Sequence, residues 1–122
     1  MYYALRLKYE ADRRAVGSDV LVLNVDPPHV YAVVHGKPRL VVRFGEKAQP
    51  ILQFPWDEGR VGELVLLALA KLRSDPTYAD AAAQLYAETT HRCARCHRRI
   101  TDSRSVKAGL GPECQKKGGR IL

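Results

Sequence analysis

Three cysteines are the residues of this chain best suited to chemistry, and they fall in one short stretch: Cys93, Cys96 and Cys114. Two thiolates separated by two residues can grip a single ion from a tight turn. Cys114 stands 18 residues beyond Cys96, a separation common between the two ligand groups of a zinc site. An odd number of cysteines cannot close a full set of disulfides. The first residues, Met1-Tyr2-Tyr3-Ala4-Leu5-Arg6, lack the basic-then-apolar layout of a secretion signal. Reduced thiols holding a metal are therefore the expectation, with a cytoplasmic location. A redox pair is the other reading of C-x-x-C, but the strand-then-helix setting of a thioredoxin-like motif is missing.

The fourth ligand has several candidates. His91 lies two residues ahead of Cys93, and in an extended chain both side chains share a face. His97 directly follows Cys96, where a knuckle turns the side chain away and offers the backbone amide to the sulfur. Asp102 and a water are further alternatives. A water would leave an open, catalytic type of site, yet no carboxylate is placed as its general base. The preferred set is Cys93, Cys96, Cys114 and His91, with zinc as the ion. Gly111-Pro112-Glu113 reads as the start of a short helix, whose dipole would favour Cys114 as thiolate.

The same stretch resembles a short bacterial and phage domain of unknown function. That domain's signature is C-x-x-C-G-R-x-L-T-D, then Ser, then G-I-G-P-x-C. The matching residues are Cys93, Cys96, Arg98, Thr101, Asp102, Ser105, Gly109, Gly111, Pro112 and Cys114, about a quarter of the chain. His97 stands where the family usually has glycine, and Ile100 where it has leucine. The resemblance implies zinc binding and a small phage-type protein. It brings no established activity and no ligand role for His97.

Charge is distributed as unevenly as the cysteines. The formal net charge is +7, and residues 89–122 carry all of it, with nine lysines and arginines against two acids. Residues 1–88 hold eleven of each. Arg92, Arg95, Arg98, Arg99, Arg104, Lys107, Lys116, Lys117 and Arg120 interleave with the cysteines. Such a cluster can displace counterions from phosphates, so DNA or RNA is the expected partner. The alternative is a phage-type interaction or inhibitor protein that docks on a host enzyme, with a purely structural zinc site. The segment is poor in apolar residues (Ile100, Val106, Leu110, Ile121, Leu122). A metal would supply the missing stabilisation, on the order of 10 kcal/mol for structural zinc.

The elements that must position this segment are legible from hydrophobic period. Residues 2–9 alternate, with Tyr3, Leu5, Leu7 and Tyr9 on one face, as a strand does. Residues 11–18 are polar, with Gly17-Ser18 as a turn signal. Residues 19–25, 29–35 and 39–44 are β-branched-rich runs separated by Asp26-Pro27-Pro28 and Gly36-Lys37-Pro38; together they predict an antiparallel meander. Residues 51–54 add a short edge strand. After Gly59 the period becomes helical: Val61, Leu64, Val65, Leu67, Ala68 and Leu72 predict a well-buried helix. Ser74 or Asp75 can cap a second helix over residues 77–88, with Pro76 in its first turn. That helix would turn Leu85 and Ala81 or Ala82 to the body.

The expected architecture is α+β: a small antiparallel β-sheet packed with two helices (residues 1–89, neutral), followed by a compact, basic zinc-knuckle or treble-clef module (residues 90–122). Apolar residues make up 46% and charged residues 27% of 122, an ordinary globular composition. No run of apolar residues approaches the length of a membrane span. Phosphate-loop, dinucleotide, nucleophile-elbow and H-E-x-x-H motifs are absent, so no enzyme activity is expected. Trp56 is expected to pack the sheet against the first long helix. Tyr2, Tyr3, Tyr9 and Tyr31 are expected as half-buried strand residues rather than a base-stacking face. His29 and His35 lie an even number of residues apart and are read as ordinary strand histidines.

Overall fold

The structure, a computed structural model, describes residues 1–111 and Cys114. Five strands form one sheet: β1 (Tyr2–Arg6), β2 (Val20–Asp26), β3 (His29–Val34), β4 (Lys37–Phe44) and β5 (Pro50–Leu52). They lie in sequence order and every neighbouring pair is antiparallel. The α+β reading holds, and so does the meander. Alternation sends Leu21, Leu23 and Val25 of β2 and Val30, Ala32 and Val34 of β3 into the core. Val22, Asn24, Tyr31 and Val33 stay half-buried on the opposite face. Tyr3 is fully buried rather than half-buried. His29 pairs with Tyr31 ring to ring at 6.2 Å, whereas His35 lies past the end of β3 in a turn with φ of 50°.

Four helices flank the sheet among the described residues: α1 (Glu10–Val16), α2 (Arg60–Ser74), α3 (Pro76–Thr90) and α4 (Ser103–Ala108). The polar stretch ahead of the Gly17-Ser18 turn signal is α1. Its acids sit in the first turn and Arg13 and Arg14 in the last, matching the helix dipole, and Gly17 closes it in the left-handed region. What anchors α1 is remote from it in sequence. Asp12, buried, accepts two hydrogen bonds from Arg60 at 2.8 and 3.2 Å. Local periodicity carries no trace of that pair.

Helix α2 begins where Gly62 lets it touch the preceding loop, since a Cβ there would lie 2.0 Å from the Trp56 carbonyl oxygen. Trp56 itself is half-buried against the core. Asp75 caps α3 by accepting from the Tyr78 amide at 3.2 Å, and Pro76 opens its first turn, where a missing N–H costs nothing. The face that α3 buries includes the expected Ala82, with Leu85 at its margin, and adds Tyr86. Ala79, Ala82, Ala83, Tyr86 and Ala87 are buried, Ala81 is exposed and Leu85 is half-buried. The alanines let α3 lie closely along β1, which covers an otherwise open sheet edge. Among the described residues no helix is long and apolar enough to cross a membrane.

Candidate metal centre

The segment after α3 is built as a hairpin. His91 adopts a left-handed conformation, φ 55°, and its amide closes α3 on the Ala87 carbonyl. The chain then turns through residues 93–96. The Cys93 amide donates to the Arg98 carbonyl at 2.7 Å, and the His97 amide to the Cys93 carbonyl at 2.9 Å. Arg92 bridges Arg99 in antiparallel pairing, and the Ile100 amide donates to the His91 carbonyl at 2.8 Å. Helix α4 follows, capped by Asp102, whose carboxylate accepts from the Ser105 amide at 2.8 Å.

This path brings the sulfurs of Cys93, Cys96 and Cys114 within 4.8 Å of one another. Tetrahedral zinc with bonds of about 2.3 Å needs sulfurs roughly 3.8 Å apart, so the donor set fits a thiophilic ion with little adjustment. Cys93 and Cys114 are buried and Cys96 is exposed, so the cluster opens to solvent on one side. Burial pushes the Cys93 thiol up, but the amides of Cys96, Gly111 and Arg95, with the Cys114 thiol, outweigh it and bring it down to about 7. Cys114 moves the other way, up to about 12, through burial and through its contacts with the other two sulfurs. Among the three crowded thiols the backbone amides favour the thiolate form at Cys93; a divalent cation would let all three ionise.

Neither His91 nor His97 belongs to the sulfur group. The exposed His91 ring makes no hydrogen bond among the described residues. His97 is committed elsewhere. It sits at φ 66°, the left-handed region that favours glycine, which accounts for glycine at this place in the resembling signature. Its ring stacks on Tyr2, centroids 4.4 Å apart, and Tyr2 stacks in turn on Tyr86 at 5.1 Å. Burial raises Tyr86 to about 12, and burial together with Arg92 lowers His97. The Tyr86 hydroxyl and His97 Nδ1 share a hydrogen bond. This brace was missed in the sequence. Tyr86 looked like one more residue of an alanine-rich helix, and the only signal was an aromatic three and four residues from Ala83 and Ala82 on one face.

Two backbone links complete the seat. The Tyr2 amide donates to the Ala94 carbonyl, and the Ala94 amide to the Gly109 carbonyl at 2.9 Å. Gly109, at φ 74°, presses on α3; a Cβ there would lie 2.9 Å from the Ala83 backbone. A Cβ at Gly111 would lie 3.3 Å from the Ile100 side chain, tighter than ordinary contact, and the Gly111 amide serves the Cys93 sulfur. Several residues of the resembling signature therefore have local physical reasons: Asp102 and Ser105 for the α4 cap, Gly109 for its terminus, Gly111 for the approach to Cys93.

The basic residues surround this hairpin. Arg92, Arg98, Arg99, Arg104 and Lys107 are exposed and Arg95 is half-buried. Arg92 Nη1 donates to the His97 carbonyl at 3.1 Å. Lys116, Lys117 and Arg120, like the helix expected from Pro112 and Glu113, lie outside the described residues.

Residues 83–119 match a family of unknown function, DUF6011. No curated protein and no solved structure matches the chain. The matched segment starts inside α3, at the turn that carries Ala83 and Tyr86, so it includes the platform on which the hairpin rests.

Proposed function

We propose that the C-terminal segment is a zinc finger that contacts the phosphates of nucleic acid. Cys93, Cys96 and Cys114 hold the ion, and His91, which stands outside the sulfur group in this structure, would have to swing in to supply the fourth ligand. Bound zinc would fix the hairpin and α4 relative to each other; it has no role in a reaction. A reducing cytoplasm suits three unpaired thiols.

The observation that carries this reading is the gathering of cations on the cysteine hairpin. Arg92 and Arg99 are paired across it, and Arg104 and Lys107 are three residues apart on α4, so they share a face. With Arg95 and Arg98 this makes six described cations around one small unit. Six phosphate contacts predict that log affinity falls with log salt at a slope near −5 for duplex DNA, by about −0.9 per contact. The test is binding of zinc-loaded protein to labelled single-stranded and duplex DNA and RNA at roughly 50 and 200 mM salt. Salt-sensitive binding that Cys114→Ser abolishes is the expected result. Binding indifferent to salt, or none at the lower salt, overturns the reading and leaves docking on an acidic protein surface.

A further inference from the structure

We infer that the body has a binding site of its own, separate from the finger: the cleft between β1, α2 and α3 takes a small amphipathic anion, an apolar chain ending in a carboxylate. The helical period after Gly59 promises a well-buried helix, yet α2 leaves apolar surface open. Leu67 is 62% exposed, and Leu64 on α2 and Leu85 on α3 are only half-buried. The reason is steric. The residues that face one another here include Ala68, Ala81 and Ala82, too small to fill the space between the helices. A cleft of about 450 Å³ remains, floored by Leu7 and Leu21.

The volume lies within the range of small-molecule sites, about 300–1,000 Å³. At about 30 Å³ per water, it has room for roughly a ten-carbon chain and its head group. Water held against such walls has few polar partners, and an alkyl chain displaces it favourably.

Charge selects the sign of the head group. Arg6, Lys8 and Lys71 line the cleft, and Asp12 is its one carboxylate among the described residues. Asp12 is already neutralised by the two hydrogen bonds from Arg60. Lys71 is held at one wall with its Nζ 5.5 Å from the Tyr78 ring centroid. An incoming carboxylate therefore meets three cations and no unpaired acid, while an incoming cation meets repulsion. The concavity, with a basic rim on an apolar floor, suits a chain that enters lengthwise better than a flat protein surface.

Decanoate, below its micelle-forming concentration, is the probe, followed by calorimetric titration and by amide shifts in heteronuclear spectra. The expected result is one saturable site whose shifts map to β1, α2 and α3. The double variant Arg6→Glu/Lys71→Glu, at exposed positions, should bind about tenfold more weakly, as two exposed charge contacts are lost. Leu67→Glu should weaken binding further, by placing a carboxylate at the mouth. An unchanged thermal midpoint confirms that these variants fold. Decyltrimethylammonium, with the same chain and opposite charge, should not compete. The inference is overturned by absence of saturable binding up to millimolar decanoate, by equal affinity for the cationic amphiphile, or by charge reversal without effect.

Discussion

The body and the finger bury their side chains by different means. In the body, strands and helices cover one another with Val, Leu and Ala, and the sheet register alone dictates which residues go inside. In the hairpin and α4 the buried apolar residues are few: Ala94, Ile100 and Leu110, beside Cys93 and Cys114. What the finger lacks in apolar area it replaces with specific contacts: thiols solvated by amides, a capping carboxylate, a histidine–tyrosine–tyrosine stack. A core made of area tolerates substitution gradually. A core made of specific contacts fails when one of them is removed.

The largest effect should come from the cysteines. Cys93→Ser removes the most buried ligand, and with it a contribution on the order of 10 kcal/mol if zinc is bound. Metal content should fall to zero and amide exchange across residues 91–111 should become fast, while the strands of the body keep their protection. Slow exchange in α4 of the metal-free variant would show that the finger supports itself, and would erase the contrast.

A smaller effect is expected where the two regions touch. Tyr86 is 1% exposed and stacks on Tyr2. Tyr86→Ala should cost about 3 kcal/mol in urea denaturation. Tyr86→Phe, which loses only the bond to His97, should cost about 1 kcal/mol. A single transition that shifts as a whole would mean that body and finger melt together. Two separated transitions would sharpen the distinction between them.

The smallest effect concerns acid. The Ser105 amide, then its hydroxyl, hold the Asp102 carboxyl below its ordinary value of 3.8. A carboxyl lowered in the folded state stabilises fully above that value and loses its contribution as pH falls through the lower, folded one. Asp12 is lowered too, by Arg60. Asp102→Asn should therefore flatten the acid dependence of exchange in α4 and leave that of α1 intact. An equal change in both helices would mean that the two regions respond to pH as one.

Much of this was legible in the sequence, for reasons that are local. Alternation marked the strands of the meander because a pleated chain with one buried face must alternate. Asp75-Pro76 marked the start of α3 because capping needs only neighbouring residues. The cysteine spacing announced a candidate metal site because a turn of four residues brings two sulfurs together by itself. The polar stretch over residues 11–18 does not read as a helix because it lacks an apolar period, and what docks it on the body is Arg60, 48 residues away, holding Asp12. Of the face that α3 buries, Ala82 was legible and Tyr86 was not, because Tyr86 answers to Tyr2 and His97, which lie on other elements.

By itself, then, the sequence determined the type of each long element, the three candidate sulfur ligands and the basic balance of residues 89–122, all of which follow from residue types and separations along the chain. Only the tertiary structure decided that Cys114 reaches the C-x-x-C turn, that His97 braces the finger on Tyr2 and Tyr86, and that α2 and α3 leave a cleft with a basic rim. These depend on which surfaces meet, and side-chain volumes together with long-range ion pairs set that outcome, beyond the reach of any local period.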